Sequence, residues 1–256
     1  MSKERIILVT NDDGIFAPGL EVLVNIAKEF GTVIVVAPDS PQSGQGHALT
    51  IEHPLRLEDD HHFGEVEAYR CSGTPVDCVK LAKAVILKDR KADICLSGIN
   101  HGSNASINII YSGTMSAAME ASLEGIDSIG FSFLDYSHEA NFDGAIPYVR
   151  KLISDALEHG LGETKLLNVN IPNLPANEIK GFKICRQANA NWVENFLVQE
   201  DPRGRKVYWL TGQFVNPDPG TDTDIWALKN GYVSIVPSKH DLTNYKAIDS
   251  LKHLEM

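Results

Sequence analysis

Asn11-Asp12-Asp13-Gly14 follows directly on an apolar, β-branched run at residues 5–10. Two neighbouring carboxylates repel each other unless a cation lies between them. Further oxygen donors recur downstream, in Ser43-Gly44 and in Asn100 and Asn104. Asp, Asn and Ser oxygens suit a hard divalent ion such as Mg²⁺ or Mn²⁺. Successive side chains of a strand point to opposite faces, so Asp12 and Asp13 share one ion only if the chain leaves the strand there, a turn that Gly14 makes easy. The bland alternative is that one Asp caps the next helix while the other is solvated. A second cluster, Ser112-Gly113-Thr114, feeds a helical stretch and offers hydroxyls and backbone N–H groups to a phosphate, unless Ser112 or Thr114 is an ordinary N-cap. The Gly-rich residues 43–46 match neither a P-loop lysine motif nor a dinucleotide fingerprint.

The elements that must position these groups alternate. Short β-branched runs at 5–10, 32–37, 94–97, 128–133 and 166–170 are separated by amphipathic stretches at 19–30, 75–87, 114–124 and 143–158. That pattern predicts an α/β fold, a doubly wound, Rossmann-like and mostly parallel sheet with helices on both faces. In such sheets ligands bind beyond the carboxyl ends of the strands at the switch point, which is where the three polar clusters fall. Residues 48–72, with Pro54 inside, read as a β excursion. Beyond Pro172 the texture changes: 180–186, 192–199 and 206–211 look like antiparallel strands with a turn over 201–204, followed by a helix at 222–229 and a strand at 232–236 returning toward the core. The expected organisation is a core for metal and phosphate over 1–175, with a β extension and C-terminal segment over 176–256 that serve oligomerisation.

A formal net charge of −11 over 256 residues argues against long nucleic acid as a partner. Small phosphates remain accessible, because a cation and helix N–H groups supply positive charge locally. No apolar run approaches the roughly 20 residues needed to span a bilayer. The chain passes from Met1-Ser2-Lys3-Glu4-Arg5 into a strand pattern with no apolar signal core, so a cytoplasmic protein is expected. Cys71, Cys78, Cys95 and Cys185 form no Cys-x-x-Cys pair and read as buried thiols.

Taken together, residues 9–14, Val36-Ala37-Pro38-Asp39 with Ser43-Gly44, Gly73-Thr74-Pro75 through Asp77-Cys78-Val79, Ser97-Gly98-Ile99-Asn100 and Tyr111-Ser112-Gly113-Thr114 resemble the survival protein E family. The similarity covers nearly the whole chain, thinning over 172–219 and returning at Gly231-Tyr232-Val233-Ser234 and Asp241-Leu242-Thr243. It implies a nucleotidase that hydrolyses 5′ and 3′ nucleoside monophosphates, some members also acting on short polyphosphates. It also implies one divalent ion on Asp12, Asp13, Ser43 and Asn100. Ser112, Gly113 and Thr114 would hold the phosphate, and Gly44 and Asn104 would line the substrate pocket. Asp12 is the candidate for orienting or deprotonating the attacking water, with Asn11 as the second catalytic candidate. Homodimers or homotetramers through exchange of C-terminal segments are implied too. His101, Asp127 and Asp222-Thr223-Asp224 depart from the family pattern, and His101 bears on substrate choice.

His47 and His240 read as surface or structurally bonded histidines rather than catalytic ones. A signalling receiver domain needs a phosphoacceptor Asp after a later strand and a Lys beyond the last; the strand at 128 ends instead in Phe131-Ser132-Phe133. Phosphoaspartate phosphatases place two acids two residues apart, whereas Asp12 and Asp13 are adjacent. The remaining alternative is an inactive sensor that binds metal and nucleotide.

Overall fold

The computed structural model describes residues 5–137 and 139–255; the first four residues, read above as preceding the first strand, lie outside them. In chain order the elements are β1 (Ile6–Thr10), α1 (Pro18–Ala27), β2 (Thr32–Pro38), β3 (Leu57–Asp60), β4 (Glu67–Cys71), α2 (Pro75–Leu81), β5 (Ile94–His101), α3 (Gly113–Leu123), β6 (Asp127–Phe133), α4 (Ile146–His159), β7 (Leu166–Ile171), β8 (Phe182–Ile184), β9 (Asn191–Glu200), β10 (Lys206–Val215), α5 (Asp224–Lys229), β11 (Val233–Pro237) and α6 (Ile248–Leu251).

Among the described residues, nine strands form one sheet in the order β3-β4-β2-β1-β5-β6-β7-β11-β8. Neighbours from β4 through β7 run parallel, and β3 and β11 enter antiparallel. From β1 the chain crosses through α1 to β2 on one side, while β5 lies on the other. The carboxyl ends of β1 and β5 therefore flank the switch point.

Alternation along β1 divides the core. Ile7 and Val9 pack with Leu20 and Leu23 of α1 and Val149 and Ile153 of α4. Leu8 faces Cys78 and Val79 of α2 and Ala117 and Ala121 of α3. Each large side chain so buried contributes about 1.5–3 kcal/mol. All four cysteines are free and buried, as expected.

Three features differ from the sequence-based expectation. The helix expected over 75–87 is α-helical only to Leu81 and continues as a π-helical segment, Ala82–Leu87. The β excursion contains β4, a strand of the main sheet beside β2. β8 pairs parallel with β11 in the main sheet, so it is not part of the antiparallel extension. That extension is β9 and β10 alone, a two-stranded ribbon closed by Asp201 and Gly204. Sequence patterning fixes strand character, but pairing direction depends on where distant chain arrives.

Candidate active site

β1 stops at Thr10, and the chain turns through Gly14 at φ +95°, a conformation that side-chain-bearing residues rarely adopt. Asn11 Nδ2 donates to Gly14 O at 2.9 Å and so closes the turn. The loop after β2 is tied to it: Ile15 N–H donates to Pro38 O and Gln42 N–H to Asp12 O, both at 2.8 Å. These bonds bring Ser43 and Gly44 beside the two aspartates.

β5 brings the third cluster. Its register against β6 slips between Ser97 and Asn100, an irregularity of the kind that redirects side chains at strand ends. Asn100 Nδ2 donates to His101 O at 3.2 Å and Gly102 O at 3.1 Å, so Oδ1 is the half of the amide suited to a cation. Asn104 is held on three sides: its N–H donates to Asn170 Oδ1 at 2.8 Å, its Nδ2 to Ser132 Oγ at 2.7 Å, and its carbonyl accepts from Asn168 Nδ2 at 2.8 Å.

From the other side α3 abuts Asp12. A Cβ on Gly113 would lie 2.6 Å from Asp12 Cβ, so only glycine allows this approach. Thr114 Oγ1 donates a short hydrogen bond to Asp12 Oδ1. Ser112 caps the helix by accepting from Met115 N–H at 3.0 Å, which leaves its hydroxyl proton available. Asp12 is 4% exposed. Burial, then the charge of Asp13, push its carboxyl up from 3.8 to about 6 against the opposing hydrogen bonds of Thr114.

The result is a cleft of about 360 Å³ lined by Asp12, Asp13, Ser43, Gly44, Asn100, Asn104 and Ser112. Asn11 braces the turn, and Gly113 and Thr114 abut Asp12. His101, Gly102, Ser103, Asn108, Tyr111, Tyr136 and Trp192 complete the lining, and among the described residues it includes no Lys or Arg. His47 lies elsewhere: it bonds Glu120 at 2.9 Å, and Glu120 also takes a hydrogen bond from Lys80. Burial works against the Glu120 charge, yet these two partners hold its carboxyl below the ordinary value.

Sequence reasoning missed the supports: Asn168, Asn170 and Ser132. Their signal was present, since Leu166-Leu167-Asn168-Val169-Asn170-Ile171 puts two asparagines on one face of an apolar strand, where asparagine is depleted. Tyr136 and Trp192 carried no comparable signal, being single aromatics in a loop and a ribbon.

The family model described as Survival protein SurE matches residues 7–194. The chain belongs to the SurE family. The matched region starts in β1 and ends in β9, so it takes in every strand end of the cleft. Among SurE proteins, 5'-nucleotidase SurE of Flavobacterium psychrophilum is 55% identical over 100% of this chain and 99% of its own. That of Christiangramia forsetii is 57% identical over 97% and 96%. The crystal structure of the SurE protein from Aquifex aeolicus aligns with a TM-score of 0.85 at 42% identity, covering 98% of this chain and 100% of that one. The SurE fold and the α/β architecture read from the sequence are thus the same.

Proposed function

We propose that this SurE-family chain is a divalent-metal-dependent nucleotidase that releases phosphate from nucleoside 5′-monophosphates, and from 3′-monophosphates as well. The nucleotidase reading is supported by relatives bearing that name over nearly their full length. The observation that carries metal dependence is the charge of the cleft: two aspartates and, among the described residues, no Lys or Arg line it. A phosphate dianion entering such a cleft meets net repulsion unless a cation accompanies it. The donor set of Asp12, Asp13, Ser43 and Asn100, all oxygens, fits Mg²⁺ or Mn²⁺. The buried Asn11 Oδ1, which has no hydrogen-bond partner among the described residues, adds a further acceptor beside them.

One divalent ion bound there would neutralise phosphoryl charge and polarise the phosphoryl oxygens. Asp12, fixed by Thr114 and Gly113, orients the attacking water and takes its proton. The Ser112 hydroxyl and the Gly113 N–H, which has no acceptor within its own helix, donate to the equatorial oxygens at the α3 N-terminus. Asn104 and Gly44 hold the ester in register. Residues 1–175 carry the metal and phosphoryl chemistry, while 176–256 serve assembly and return in part to the core. The exposed apolar side chains of β9 and β10, among them Phe196, Leu197, Trp209 and Leu210, support a homo-oligomer. No described helix is long and apolar enough to cross a membrane, and the proposed location is the cytoplasm.

Phosphate release from a panel of 5′ and 3′ nucleoside monophosphates, with Mg²⁺, Mn²⁺ or chelator, tests the reading. Release that needs the ion and is lost in Asp12→Ala is expected. Folded protein that releases none with any ion would turn the assignment to a nucleotide sensor.

A further inference from the structure

Ser106 is the third non-glycine residue after Ser103 in the loop between β5 and α3, and it holds a left-handed φ of +56° while fully buried. That conformation is unfavourable for a residue with a side chain and persists where surroundings enforce it. The surroundings are specific. Ser106 N–H donates to Asp224 Oδ2 at 2.8 Å, and its hydroxyl is shared between Ala188 O at 2.8 Å and Ala190 O at 3.3 Å. Asp224, at the start of α5, also accepts from Ala188 N–H at 3.0 Å and Ile225 N–H at 2.8 Å. One buried carboxylate and one buried hydroxyl thus join the cleft loop, the stem of the β9–β10 ribbon and α5.

Both flanks of Ser106 face substrate space. Asn104, two residues before, lines the metal cleft. Asn108, two residues after, accepts from Trp192 Nε1 at 2.8 Å, the second residue of β9. Asn108, Tyr136 and Trp192 also border an adjoining apolar cavity of about 290 Å³, walled by Leu134, Phe214 and, from α5, Ile225 and Leu228. A charged, oxygen-lined cleft opening beside an apolar, aromatic one matches a phosphate at one end and a flat heterocycle at the other.

We propose that Ser106 and Asp224 form a latch that sets the ribbon against the cleft loop, making both positioning residues for the nucleoside end of the substrate. This rests on the nucleotidase reading. The latch touches neither the aspartates nor α3, so it acts on how the nucleoside seats and not on the phosphoryl step.

The experiment compares wild type, Ser106→Gly and Asp224→Asn with adenosine 5′-monophosphate and with para-nitrophenyl phosphate, which carries no nucleoside. Ser106→Gly removes the hydroxyl yet relaxes the backbone, so its Tm should stay within about 3 °C of wild type. Its KM for the nucleotide should rise about fivefold with kcat nearly unchanged, while kcat/KM for para-nitrophenyl phosphate holds within about twofold. Asp224→Asn, which turns an amide N–H toward Ser106 N–H or Ala188 N–H, should show the same split. Unchanged nucleotide KM in a stable Ser106→Gly would overturn the latch, as would equal losses on both substrates. Wild type that cleaves para-nitrophenyl phosphate but no nucleotide would instead sink the nucleotidase reading, and this assignment with it.

Discussion

Asp12 shows how a residue destabilises the fold it serves. Its carboxyl ionises near 3.8 in an unfolded chain and at about 6 in the metal-free fold, burial being the first cause and Asp13 the second. Between those values the folded protein keeps a proton that the unfolded chain has lost. Raising the pH through that window therefore costs stability, fully so above about pH 6, and at about 1.4 kcal/mol per pH unit the penalty reaches roughly 3 kcal/mol. Asp12→Asn should accordingly stabilise the metal-free protein by roughly 1–3 kcal/mol at pH 7.5 while abolishing turnover, with the gain vanishing below about pH 4. Urea titrations at the two pH values check this; a variant no more stable at pH 7.5 would contradict it. By the same sign, ion affinity should weaken as pH falls below about 6, as protons compete for Asp12. Gly113→Ala forces Asp12 aside and should lower kcat at least about tenfold, with a stability loss of about 1–3 kcal/mol. Steady-state kinetics on folded variant protein reads it out.

At the scale of elements, the asparagines of β7 connect a sheet interior to a cleft loop. Asn170 accepts from the Asn104 N–H and donates to Asn168 Oδ1, and both asparagines are buried. Asn170→Leu leaves those two buried groups unpaired, each costing about 1–3 kcal/mol. Its thermal midpoint should fall by several degrees and its nucleotide KM should rise; unchanged values in both would show that water replaces the lost partners. The chain announced this support only faintly, as two polar residues on one face of a strand. It announced β1, β2, α1 and α3 clearly, because apolar periodicity is a local property. The π-helical turn after Leu81 had no local signature, since Ala82–Leu87 is as regular a helical sequence as the turns before it.

For the molecule as a whole, the ribbon of β9 and β10 is anchored at its stem by Trp192 and Phe214 and is otherwise exposed along nearly its whole length, a state marginal for two isolated strands in water. Leu197 and Trp209 pair across it and are more than half exposed. Sedimentation velocity at micromolar concentration should find dimers or tetramers, and Leu197→Glu should shift them to smaller species with the core's unfolding unchanged. A monomeric wild type would reject that assembly. The sequence by itself determined the α/β alternation, the three polar clusters after the strands and the acidic balance on which the proposed cation rests, because residue order fixes local periodicity and charge directly. Which side of the sheet each strand joins, that Thr114 Oγ1 donates to Asp12, and that Trp192 arrives from a ribbon about ninety residues beyond Asn100 were decided only by tertiary structure. Those outcomes depend on pairings between distant segments, whose energies no single stretch of chain contains.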